Sequence, residues 1–170
     1  IYLTFEEYPN RCNKQEVVVY IPSNPDFSYR ASDVMSYYSD KKIDSLLLVN
    51  PDNPSGNFIL YTELLSLCEW AGFRSIRLIV DESFVDFSEG YPNNSLLHNN
   101  TLNDHSHLVV IKSISKSFGV PGLRLGILAS SDKVLIAWMK KDISIWNINS
   151  FAEFYMQIFG KYEQDYSNAC

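Results

Sequence analysis

Leu78-Ile79-Val80-Asp81-Glu82-Ser83-Phe84-Val85-Asp86-Phe87 is the stretch from which the fold of this chain is read. An aliphatic run closed by a carboxylate has the length and composition of a buried strand. Ligands of open α/β sheets bind beyond the carboxyl ends of the strands, so a strand ending in Asp81 delivers an anion to such a site. Glu82 and Asp86 are competing carboxylates, read as solvated or capping groups because acidic side chains are seldom fully buried.

Two further stretches repeat the pattern. Upstream, Leu46-Leu47-Leu48-Val49-Asn50-Pro51-Asp52-Asn53-Pro54-Ser55-Gly56-Asn57 is again a buried-type strand running into a polar turn. Its two Asn-Pro steps push the backbone away from helix into extended and turn geometry. Such a turn can aim the Asn53 amide at a ligand above the strand ends, although a turn with no ligand would look the same.

Downstream stands Ser113-Ile114-Ser115-Lys116-Ser117-Phe118-Gly119-Val120-Pro121-Gly122-Leu123-Arg124-Leu125-Gly126. A lysine amine condenses with a carbonyl only when part of it is neutral, which requires burial or nearby cations. Lys112 and Arg124 flank Lys116 in sequence. The Ser113 and Ser115 hydroxyls and the planar Arg124 fork suit a dianionic phosphate. The same letters also fit an ordinary solvated connection between strands. Taken with Asp81, which could keep a pyridine ring protonated, they are the layout that a pyridoxal-phosphate site needs.

Spacing of apolar residues supplies the rest of the organisation. Residues 16–21, 45–49, 75–80, 108–111 and 125–129 read as strands. Residues 31–39, 61–71 and 131–141 read as helices, with Thr62 as N-cap of the second and Ser131 or Asp132 of the third. Leu64, Leu65, Leu67, Cys68 and Ala71 fall on or near one helical face. Alternating strands and helices predict an α/β fold, a mostly parallel sheet covered on both faces in three layers. The polar stretch 89–107 is read as a loop within one domain.

Composition narrows the function classes. The chain has 170 residues, a formal charge of −6 and 46% apolar residues. That suits one globular domain and excludes disorder. The acidic balance, without any Lys/Arg-rich run, argues against a nucleic-acid partner. No run is long and apolar enough to span a bilayer, and no signal peptide is visible at Ile1, so no membrane partner is expected. Cys12, Cys68 and Cys170 have neither disulfide nor zinc spacing, which points to a reducing cytoplasm. His98, His105 and His107 lie in the polar stretch, with no metal site expected there.

In order and spacing, Asn53-Pro54-Ser55-Gly56, Asp81 to Phe84 and Ser113 to Gly126 resemble the fold-type I pyridoxal-phosphate enzymes of the aminotransferase class I/II superfamily. Within it the chain is similar to the histidinol-phosphate aminotransferase and threonine-phosphate decarboxylase branch, from about Leu3 to the segment around Phe154. The resemblance implies pyridoxal 5'-phosphate as cofactor. It implies Lys116 as the amine that holds the aldehyde and then moves the substrate α-proton, Asp81 as partner of the ring nitrogen and Asn53 as donor to the ring hydroxyl. Ser113, Ser115 and Arg124 would bind the phosphate, and Phe5 would stack on the ring.

Many members of this group read Asp-Glu-Ala-Tyr where this chain has Asp81-Glu82-Ser83-Phe84. Phe84 brings no hydroxyl to the ring oxygen. In this it is similar to the decarboxylase branch, as are the Phe-x-Glu-Tyr pattern near the start and Trp146-Asn147-Ile148-Asn149. Transamination of amino acids, among them ones that carry phosphate, is the first expectation from the resemblance, and these features keep decarboxylation as the alternative. A third reading is a non-catalytic domain that binds the cofactor or a partner. The family's upstream glycine turn and its downstream small domain with a substrate-binding arginine have no match here. The resemblance thus implies the central part of a large domain, starting in mid-strand, truncated at both ends and inactive by itself, within an enzyme that works as a homodimer.

Overall fold

The apolar runs that end in Val49, Asp81 and Ser113 become neighbouring strands of one sheet in the computed structural model, which describes residues 7–169. Strands β1 (Ser45–Val49), β2 (Arg77–Asp81), β3 (Leu108–Ser113) and β4 (Gly126–Ala129) lie in that order. The first three are parallel and β4 runs antiparallel to β3. Helices α1 (Glu7–Asn10), α2 (Ala31–Tyr38), α3 (Tyr61–Phe73), α4 (Asn99–Asp104), α5 (Ile114–Ser117), α6 (Lys133–Asp142) and α7 (Ser150–Ala169) complete the described chain. Parallel neighbours need a crossover, which α3 supplies between β1 and β2. The expected mostly parallel α/β architecture is present.

Alternate residues of the parallel strands face one core. Leu46, Leu48, Leu78, Val80, Leu108 and Val110 pack with Val34 of α2 and with Leu64, Leu67, Cys68 and Ala71 of α3. These α3 positions recur at helical spacing, so a single stripe meets the sheet. Leu47, Ile79 and Ile111, on the opposite face, are half-buried.

Helix α3 starts at Tyr61 as expected, but its cap is Leu60 and not Thr62. The Leu60 carbonyl accepts from Glu63 and Leu64, while the Glu63 carboxylate holds Arg30 and the Ala31 amide at the start of α2. The other end explains why β2 begins later than expected. Ser75 turns left-handed (φ 55°), and Ser75 and Ile76 donate back to Gly72 and Ala71, closing a Schellman turn before the strand can start.

Several other boundaries move. Residues 16–21 form no strand: Lys14–Glu16 is a 3-10 turn, and the Val18 and Val19 carbonyls are satisfied by the Tyr38 and Tyr37 hydroxyls instead of a ladder. Asp132 caps α6, accepting from Val134 and Leu135 at 3.0 Å each, and the helix starts at Lys133. The stretch 89–107 contains α4, and His107 is anchored through Nε2 to the Cys68 carbonyl at 2.8 Å. Helix α7 was not anticipated. Asn149 caps it by accepting from Ala152, and its Phe159 and Tyr166 rings pack on Phe118, just beyond α5.

Candidate active site

Register brings the three strand ends into line. Val49 pairs with Asp81 and Asp81 with Ile111, so the turns after β1, β2 and β3 leave the sheet at one end. The Asn50 amide donates to the Asp81 carbonyl and the Glu82 amide to Ile111, which extends the ladder into those turns.

Asp81 is buried and held on both oxygens. Oδ1 accepts from the Ser83 amide at 2.9 Å and from Ser83 Oγ at 2.5 Å, and Oδ2 accepts from the Tyr8 hydroxyl at 2.5 Å. Ser83 Oγ in turn accepts from the Ser113 amide at 2.9 Å, so one hydroxyl ties the β2 carboxylate to the end of β3. Burial and the bond to Asp81 push the Tyr8 hydroxyl well above the ordinary phenol range, which keeps it a donor at neutral pH. Neither Tyr8 nor Ser83 was foreseen. The Tyr8 contact spans 73 residues, and no local pattern announces it.

Lys116 follows on the single turn of α5. Its own side chain is exposed, while Ser115 and Ser117 on either side are buried. Nζ lies 6.0 Å from the Phe84 ring centroid, and among the described residues no carboxylate forms an ion pair with it. Ser113 pairs with Gly126, and the Ile114 amide donates to the Leu125 carbonyl, so Arg124 leaves the ladder beside Ser115. Arg124 is exposed and adopts a left-handed backbone (φ 56°), a strain of about 1–3 kcal/mol for a residue with a side chain.

Asn53 projects from the β1 turn and is exposed. Its neighbours shape that turn. Asn50 clamps Ile59 through both amide and carbonyl, and Asn57 does the same to Tyr29. Phe5 lies outside the described residues. The structure therefore joins Asp81, Ser113 and Phe84 to the turn carrying Ser115, Lys116 and Arg124, with Asn53 on the adjacent turn.

Glu82 and Asp86 are neither solvated nor capping. Glu82 is 0% exposed, with Ser95 Oγ donating to one carboxylate oxygen at 2.6 Å and the Leu96 amide to the other at 2.7 Å. Asp86 forms a 2.6 Å ion pair with Lys112. Lys112 is thus a buried, paired cation and not a free neighbour of Lys116. Among the described residues no cluster of His, Cys, Asp and Glu could hold a metal.

Burial raises the Glu82 carboxyl above its usual range, despite the two bonds it accepts. A carboxyl raised in the folded state gives its full stability below the ordinary carboxyl range, and that stability is lost as pH rises through the raised value. Glu82→Gln keeps the shape without the charge. Its thermal midpoint should gain on the wild type as pH climbs from about 4 towards neutrality, as melting curves of both at each pH will show.

Residues 2–159 match the aminotransferase class I and II family. The chain belongs to this family. It is 31% identical over 166 residues to the CMP-5'-(3-aminopropyl)phosphonate synthase of Streptomyces rubellomurinus, a match covering 98% of the chain and 26% of the relative. It is 30% identical over 159 residues to the L-serine phosphate decarboxylase of Sulfurospirillum multivorans, covering 92% and 40%. The crystal structure of the histidinol-phosphate aminotransferase from Clostridium acetobutylicum superposes with a TM-score of 0.80 at 28% identity, covering 98% of the chain and 48% of that protein. The chain thus spans between a quarter and half of the length of these relatives.

Proposed function

We propose that the chain is the central, cofactor-holding part of the large domain of a pyridoxal 5'-phosphate-dependent aminotransferase acting on an amino acid. The observation that carries this is the link from Asp81 through Ser83 to the start of the Lys116 turn, which sets an anion and an amine at one end of adjacent parallel strands. The donor set fits the group. Asp81 would face the ring nitrogen, Lys116 the aldehyde carbon, and Ser113, Ser115 and Arg124 the phosphate. Asn53 and the Phe84 ring would border the pyridine, and Phe5 would stack on it.

When bound, the ring draws electrons from the substrate α-carbon. The chain's residues supply the rest. Asp81, fixed by Ser83 and Tyr8, would hold the ring in its electron-accepting form, and Lys116 Nζ would take and return the proton at the substrate α-carbon. Decarboxylation of a phosphate-bearing amino acid is the second reading, favoured by Phe84, which has no hydroxyl to donate, and by the serine phosphate decarboxylase relative. A product assay for oxo acid against carbon dioxide separates the two.

We place the enzyme in the cytoplasm as a homodimer. Cys68 is buried as a free thiol, and among the described residues no helix is long and apolar enough to cross a membrane. Ile145, Trp146 and Phe151, within one seven-residue stretch, are at least 80% exposed, and burying such apolar side chains against a second copy would be favourable.

Borohydride reduction of the cofactor-loaded protein, followed by peptide mass mapping, tests the reading. A pyridoxyl group is expected on Lys116. Its recovery on another lysine, or on none, would overturn the assignment.

A further inference from the structure

The most deeply buried ion pair among the described residues lies beneath the residues just assigned. Asp86 and Lys112 meet at 2.6 Å with side chains 1% and 6% exposed. Asp86 Oδ2 also accepts from Ser117 Oγ at 2.6 Å, while its Oδ1 is buried with no hydrogen-bond partner among the described residues. Lys112 Nζ is turned as well to Tyr91, 3.4 Å from the hydroxyl and 4.9 Å from the ring centroid. Taking two charges out of water commonly costs more than their attraction returns, so an apolar pair of the same volume would often be as stable. Stability alone is therefore a weak reason for the pair.

Position gives a better one. Asp86 sits in the 3-10 turn Val85–Phe87 that follows Asp81, Lys112 is next to last in β3, and Ser117 adjoins Lys116. Helix α5 is four residues long, too short to hold its own geometry, so contacts from outside must impose it. On its outer side the Phe118 ring packs on Phe159 and Tyr166. On its inner side the bond from Ser117 to Asp86 is the polar tie.

We propose that Asp86, charged and held in place by Lys112, is a positioning residue for Lys116: through Ser117 Oγ it fixes α5 so that the Lys116 amine stays directed at the cofactor site. This rests on the reading of Lys116 given above. Asp86 touches no reacting atom in this scheme, and its effect passes through a single hydroxyl. The charge matters because a carboxylate is the stronger acceptor.

The test uses the holoenzyme with Ser117→Ala, Ser117→Thr and the apolar double variant Asp86→Leu/Lys112→Leu, which avoids stranding one buried charge. Affinity for pyridoxal 5'-phosphate is read by fluorescence quenching, ring orientation by the circular dichroism induced in the cofactor band, and folding by the thermal midpoint. Ser117→Ala should bind the cofactor about tenfold more weakly and lose part of the induced signal, as expected for one hydrogen bond to a charged group. The double variant should share that defect, and Ser117→Thr should restore both signals. If Ser117→Ala or the double variant shifts only the thermal midpoint, or if Ser117→Thr restores nothing, the proposal falls. Should the wild type carry no pyridoxyl group on Lys116, the functional reading falls and takes this one with it.

Discussion

Lys116→Ala is expected to lower turnover by about 10²- to 10⁴-fold, the range that a positioned proton-transfer group contributes, while leaving the fold intact. The fold should survive because the Lys116 side chain is exposed and without an ion-pair partner among the described residues, and alanine suits a helical turn. Activity should not survive, because the neighbours cannot take over the proton. The Arg124 guanidinium offers only donors, and the serine hydroxyls at 113 and 115 are donors and weak bases. Asp81 already accepts from Ser83 twice and from Tyr8 once. Steady-state product formation measured beside a thermal melt checks both halves. Turnover within tenfold of wild type at an unchanged midpoint would remove Lys116 from the chemistry.

The parts of this molecule that were legible in sequence are those set by local pattern. Three aliphatic runs gave β1, β2 and β3, because strands of a parallel sheet buried on one face and half-buried on the other still read as continuous apolar runs. Helical spacing from Leu64 to Ala71 located the α3 stripe. The same logic failed at residues 16–21, where strand-like letters find tyrosine hydroxyls and no neighbouring strand.

Buried polar groups were the larger gap. Composition makes Glu82 and Asp86 look like surface charges, since burying a carboxylate is costly unless a partner waits for it. Those partners stand 13 to 31 residues further along the chain: Ser95 and Leu96 reach Glu82 from the connection after β2, and Lys112 and Ser117 reach Asp86 only once β3 lies beside β2. The candidates Asn53, Asp81, Ser113 and Lys116 were legible because each ends a strand or stands in the turn beyond it. Much of what braces them was not, because Tyr8 reaches Asp81 from 73 residues away and Ser83 is tied to the end of β3 only after folding.

Asp81→Asn isolates charge from shape at the same site. Asparagine can keep an oxygen towards the Ser83 amide and hydroxyl and turn its NH₂ group to the Tyr8 hydroxyl, whose oxygen is able to accept. The link from Ser83 to the Ser113 amide then persists, and the thermal midpoint should move little. On the proposed reading of the site, the anion that would face the ring nitrogen is lost, and with it the preference for the protonated ring. Removing one preorganised electrostatic partner typically costs about 10²- to 10³-fold in kcat, and a loss of that size is expected here. The reading separates cleanly from a structural one. If Asp81 only braced the turn, Asp81→Asn would stay near full activity and Asp81→Ala would be defective in both folding and rate. If its charge keeps the ring electron-accepting, both variants lose rate together while only Asp81→Ala, which breaks the ties to Ser83 and Tyr8, also loses stability. Turnover and thermal midpoint measured on the two variants side by side decide between these outcomes.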